Sequence, residues 1–119
     1  MIASPMPPID PQRFLPLHPR DYLILFALTE GSRHGYGIVK DIESFTGGTV
    51  SLDPSNLYRS IKRLVETGLV AESDQEPEDP ARRRMYEITT LGRNVVTAEA
   101  ERLAQLTDAA RGRRLIPRA

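Results

Sequence analysis

Hydrophobic positions along this chain recur mostly at helical spacing, and the clearest case runs from Asp53 to Gly68. Leu57, Ile61, Leu64 and Val65 fall at i, i+4, i+7 and i+8, which makes one apolar stripe on a helix. Asp53 suits the N-cap, Pro54 the first helical position, and Gly68 the left-handed turn at the end. At about 100° per residue, Ser55, Asn56, Arg59, Lys62 and Arg63 share the opposite face. No acid interrupts that face between Pro54 and Val65.

The neighbouring segments read as follows. His18-Pro19-Arg20-Asp21 starts a helix that is apolar nearly all round through Tyr22–Leu28 and stops at Gly31. Such a run calls for burial against a second element or a second subunit. A short second helix opens at Gly35-Tyr36-Gly37, carries the stripe Ile38, Ile42 and Phe45, and ends at Gly47-Gly48. Leu69–Glu72 reads as a short strand, Gln75–Ala81 as a loop broken by Pro77 and Pro80, and Arg84–Ile88 as a returning strand. Thr89 or Thr90 then caps a last helix reaching about Arg111, whose stripe is Val96, Ala100, Leu103, Leu106 and Ala110. At about 22 residues it would span roughly 33 Å. That is more than so small a body covers, so the stripe points to pairing with a symmetry mate. Three helices followed by a two-stranded hairpin is the order of a winged helix-turn-helix. The expected fold is therefore mainly α with a small β-hairpin. Residues 1–17 form a proline-rich arm, in which Phe14, Leu15 and Leu17 are placed to pin it onto the body or a partner subunit; 18–89 form the winged helix-turn-helix, and 90–119 a dimerisation helix with a basic tail.

Composition narrows the function classes. A chain of 119 residues is one domain with a modest core. No apolar run approaches the roughly 18 residues of a membrane span, and no basic-then-apolar leader opens the chain. Zero cysteines leave no disulfide framework and no thiolate metal site, which fits a reducing cytoplasm. Sixteen Lys plus Arg balance sixteen Asp plus Glu, so bulk charge does not drive nucleic-acid coating, although a local basic patch remains open. The charges are segregated. Glu72, Asp74, Glu76, Glu78 and Asp79 form an acidic block, Arg82-Arg83-Arg84 follows, and Arg111, Arg113, Arg114 and Arg118 close the chain.

An enzyme is disfavoured. His18 and His34 stand far apart, no acid cluster completes a metal site, and no phosphate-binding glycine loop or catalytic-nucleophile motif is present. No cofactor is expected. The face opposite the Leu57 stripe instead has the layout of a DNA-reading helix. Small polar residues occupy its first turn, where base edges lie, and cations come later, where phosphates lie. Taken alone, the same face would also suit an ordinary solvated helix.

Three stretches together resemble the PadR family of bacterial transcriptional regulators: Arg33-His34-Gly35-Tyr36-Gly37-Ile38, then Leu57–Val70, then Arg82–Arg93. The resemblance covers roughly Pro19 to the end, and it is closest to the short branch with a single C-terminal helix. It implies a winged helix-turn-helix, a cytoplasmic homodimer and repression at a palindromic operator. It also leaves room for a small-molecule effector. Carried over by position, Ser55, Asn56 and Arg59 are the base-edge candidates, since Asn pairs with adenine and Arg grips guanine bidentately. Lys62 and Arg63 are phosphate candidates. Tyr58 is placed with its ring in the core and its hydroxyl on a phosphate or backbone group, with base reading as the alternative. His34 is a helix cap or phosphate contact, and Tyr36 reaches a phosphate or the core. Arg82, Arg83 and Arg84 approach the DNA backbone or minor groove from the wing, or else solvate the hairpin or pair with its acids. Tyr22 and Phe26 join the last-helix stripe as dimerisation candidates. The acidic wing loop, Asp74–Pro80, departs from the pattern, because phosphates would repel it. The chain also lacks tryptophan, so the drug stacking known in some relatives does not carry over. The rival reading is a winged-helix module that binds another protein without specific DNA affinity.

Overall fold

The computed structural model describes residues 9–73 and 84–117. Within them, four helices and three short strands follow in the order α1 (Pro19–Ala27), β1 (Arg33–His34), α2 (Gly35–Phe45), α3 (Pro54–Glu66), β2 (Val70–Glu72), β3 (Met85–Ile88) and α4 (Thr90–Gly112). A one-turn 3-10 helix at Pro11–Phe14 precedes α1, and another at Leu28–Glu30 follows it.

Capping residues set most of the boundaries. The His18 Nδ1 accepts the Arg20 N–H, the His34 Nδ1 accepts the Gly37 N–H, and the Thr89 hydroxyl accepts the Gly92 N–H. Each satisfies one of the donors that the first turn of a helix leaves unpaired. Asp53 caps α3 only through its extended backbone, because its side chain makes no capping hydrogen bond. Gly68, at φ +84°, ends α3 with the left-handed turn expected there, and the Leu69 N–H bonds back to the Leu64 carbonyl.

The sheet differs from the expected hairpin. Arg33 pairs with Tyr86 and His34 with Met85, so β1 adds a third antiparallel strand and the order is β1-β3-β2. Two residues are too few for an alternating pattern to show in a sequence. In the other pairing, Val70 faces Ile88 and Glu72 faces Tyr86.

One core joins all these elements. Ile24, Leu25 and Leu28 meet Ile38 and Ile42 of α2, Leu57, Ile61 and Leu64 of α3, Leu69, Val70 and Tyr86 of the sheet region, and Val95 and Val96 of α4. Burial on α3 is rotated from the expected stripe: Ser60 is 1% exposed, whereas Val65 is 38% exposed. Val96, expected on a dimer-facing stripe, belongs to this core instead. It lies near the start of α4, where that helix crosses its own domain. The crossing is close. A Cβ at Gly92 would collide with the Leu69 carbonyl oxygen and stand 2.9 Å from Ile88 Cγ1.

The apolar residues after the prolines pin the chain before α1 onto the body. Phe14, Leu15 and Leu17 pack on the core, and the Leu17 N–H donates to the Glu99 Oε2 at 2.8 Å. Glu99 is 1% exposed and also binds the Arg102 guanidinium. That hydrogen bond, opposed by burial and helped by the Leu17 N–H, holds the carboxyl below the ordinary glutamate range.

Candidate nucleic-acid interface

Because Leu57, Ser60, Ile61 and Leu64 clamp α3 to the core, its outer face is presented to solvent. Ser55, Arg59 and Lys62 are exposed there and Asn56 is half-buried, so the structure brings these four together on one face. Arg63 is drawn aside. Its guanidinium donates to the Asp21 Oδ1 at 2.6 Å, and Asp21 is 8% exposed. The pair ties α3 to α1, while 47% of the Arg63 side chain stays exposed. The separation of 42 residues hid that partnership from the sequence.

The start of α2 sits beside this face. Tyr58 is 37% exposed, and its ring lies over Gly35, where a Cβ would stand 2.8 Å from the tyrosine Cζ. Glycine is therefore what lets α2 approach α3 at this point. The His34 ring caps α2 and stacks on Tyr36, with centroids 6.3 Å apart and planes 13° apart. Since Nδ1 accepts a hydrogen bond, the neutral ring carries its proton on Nε2. Tyr36 is 56% exposed, and the Lys40 ammonium stands 5.3 Å from its ring centroid. A hydrogen bond to Tyr36, helped by Glu43 nearby, raises the Lys40 pKa above the ordinary lysine range. Sequence reasoning did not single out Lys40. Its i+4 spacing from Tyr36 on one helix face was the available signal.

Arg84 is exposed and pairs with Glu72 between the ends of β2 and β3 at 3.1 Å. Arg82, Arg83 and the acidic loop, 74–80, lie outside the described residues. Next to the wing, burial pushes the Tyr86 hydroxyl up, with Tyr58 and Glu72 adding to the effect.

Of the residues expected at a dimer interface, Ala100 is exposed, Leu106 is 54% exposed and Phe26 is 44% exposed. Tyr22, Leu103 and Ala110 are half-buried. Among the described residues, no group of three or more His, Asp or Glu side chains is placed to hold a metal ion. No described helix is long and apolar enough to cross a membrane.

The family model of the transcriptional regulator PadR-like family matches residues 24–98, which include α2, α3 and the sheet. The chain belongs to the PadR family. Members of this family are transcriptional regulators and not enzymes. An uncharacterized 37.1 kDa protein in transposon TN4556 of Streptomyces fradiae is 35% identical over 85 residues, 71% of this PadR-family chain. The chain spans only 23% of that relative's length. Among solved structures, a transcriptional regulator from Clostridium thermocellum is 27% identical with a TM-score of 0.66, covering 78% of this chain and 87% of its own. PadR of Bacillus subtilis, solved in complex with operator DNA, is 24% identical with a TM-score of 0.57 over 66% of this chain and 44% of its own. It shares the fold.

Proposed function

We propose that this PadR-family regulator binds a palindromic operator as a homodimer and represses transcription by occupying it. The observation that carries the reading is the outward face of α3. Ser55, Asn56, Arg59 and Lys62 project there without an intervening acid, on a helix fixed by a shared core, with His34, Tyr36 and Lys40 of the α2 end beside them. In this reading Ser55, Asn56 and Arg59 meet base edges in the major groove. Lys62, Lys40, Tyr36 and the His34 Nε2 meet phosphates, and these contacts set register without carrying sequence information. Tyr58 packs α3 against α2, and Arg63 ties α3 to α1. The complex of Bacillus subtilis PadR with operator DNA supports the assignment by likeness of fold. Ala100, Leu103, Leu106 and Ala110 form the face through which α4 meets its symmetry mate, with Tyr22 and Phe26 alongside. Function is assigned to the cytoplasm, where the DNA is, and the regulator responds to a small-molecule effector.

The test is a duplex selected from random sequence with the protein, followed by Arg59→Ala. The substitution is expected to weaken binding by roughly 1–3 kcal/mol and to relax preference at one base-pair position per half-site. Equal weakening on every sequence would remove Arg59 from the base-reading set.

A further inference from the structure

Of the four described helices, α1, α2 and α4 are capped through a side chain, and α3 is the exception. Asp53 stands at its N-cap with the usual extended backbone, φ −63° and ψ 136°, and its carbonyl accepts the Leu57 N–H at 2.9 Å. Its carboxylate makes no capping hydrogen bond. Asp53 is exposed, and no described group bonds or pairs with that carboxylate. The acids of α1 and α2 are all engaged: Asp21 by Arg63, Asp41 by Arg33, and Glu43 by the Ser51 hydroxyl at 3.5 Å. One uncommitted carboxylate therefore stands at the leading end of the helix that carries Ser55, Asn56 and Arg59. Phosphates repel a charge placed there. A serine would cap the helix as well.

We infer that Asp53 reads a cytosine in each half-site, its carboxylate accepting from the N4 amino group in the major groove. An ionised carboxylate can only accept hydrogen bonds. In that groove guanine shows the acceptors N7 and O6, thymine shows O4, and adenine sets its N7 acceptor beside its N6 donor. Cytosine shows the N4 amino group alone, so it is the one base edge that a carboxylate meets without an opposing acceptor. The first residues of a recognition helix are the ones that reach base edges, and Asp53 lies just before Ser55 and Asn56 in that position. Because the carboxylate is uncommitted in the free protein, reaching a base breaks no internal contact. Opposite any other base it is stripped of water and left without a donor, so Asp53 acts largely by rejecting wrong sequences. The inference rests on the proposed function and deepens it by naming a base and the residue that selects it.

The test selects duplexes from a random-sequence pool with the full-length wild type, Asp53→Ser, Asp53→Asn and Arg59→Ala. Affinities are then measured on single-base variants of the selected duplex. The wild type should prefer cytosine at one position per half-site. Asp53→Ser still offers a capping oxygen, so it should keep its thermal midpoint and its other preferences while discrimination at that position falls roughly tenfold. It should also bind a scrambled duplex roughly two- to threefold tighter, since one charge repelled by phosphates is gone. Asp53→Asn should move the preference at that position toward adenine, which an amide meets as donor and acceptor. Arg59→Ala should relax a different position. Base profiles identical to the wild type in both Asp53 variants would overturn the inference. So would uniform tightening or weakening on every sequence, the mark of a charge that only repels or a helix end that has shifted. A lowered thermal midpoint with an unchanged profile would reduce Asp53 to a cap and overturn it as well. If Arg59→Ala relaxes its own position while the Asp53 variants relax none, the inference fails and the proposed function stands. A wild type that selects no sequence overturns both.

Discussion

Glu99 offers a sharp test of how this fold is held together. Its carboxylate is 1% exposed, accepts the Leu17 N–H at 2.8 Å and engages Arg102, so one buried group joins the segment before α1 to α4. Glu99→Ala removes the acceptor and leaves the Leu17 N–H without a partner in a largely dry site. An orphaned buried donor costs about 1–3 kcal/mol, and the emptied side-chain volume adds to it. The expected loss is therefore about 2–4 kcal/mol. With a domain of this size losing roughly 3–6 °C in Tm per kcal/mol, the change should exceed about 6 °C. Glu99→Gln keeps an acceptor for Leu17 and should lose less than half as much. The pH dependence has a defined sign. The folded carboxyl lies below its unfolded value, so its contribution is complete above about pH 5 and is lost as pH falls through the folded pKa. The wild type should thus lose its advantage over Glu99→Gln on acidification. The assay is urea denaturation followed by helical circular dichroism at one fixed protomer concentration, because dimer stability depends on concentration. A loss below about 0.5 kcal/mol for Glu99→Ala would refute the reasoning.

Other consequences follow from single contacts. Gly92→Ala places a methyl against the Leu69 carbonyl, a backbone group that cannot swing away, and should cost at least about 2 kcal/mol in the same assay. Lys62→Ala should leave stability unchanged and lower the slope of log affinity against log salt by about 1. Arg63→Ala should instead destabilise by about 1–2 kcal/mol by leaving Asp21 unpaired, with the salt slope kept, as thermal melts and salt titrations would show. Leu106→Asp, at an exposed position, should shift sedimentation toward monomer without lowering helix content.

Much of the architecture was legible because the local signals agreed. The Leu57–Leu64 spacing, Pro54, Gly68 and the caps at His18, His34 and Thr89 all pointed to helices that the structure contains. Hidden features depended on contacts between distant residues. Arg63 looked like any outward cation until Asp21 was brought beside it. Glu99 sits three residues after Val96 and four before Leu103, so a carboxylate interrupts an otherwise apolar face. Its meaning required Leu17, 82 residues earlier. The Pro11–Phe14 turn was masked by prolines, which fit the first turn of a 3-10 helix as well as they bar longer structure. For the site, the outward set on α3 could be read from periodicity. Lys40 could not be weighed until Tyr36 was found exposed beneath its ammonium.

The most direct measurement of the central claim is a binding titration of the selected duplex, beside a scrambled duplex of equal length, at two salt concentrations. If the α3 face reads DNA, the selected duplex binds at least about a thousandfold tighter, and both affinities fall steeply as salt rises. Equal affinity for the two duplexes, or binding indifferent to salt, would contradict it and leave the winged helix as a surface for another protein.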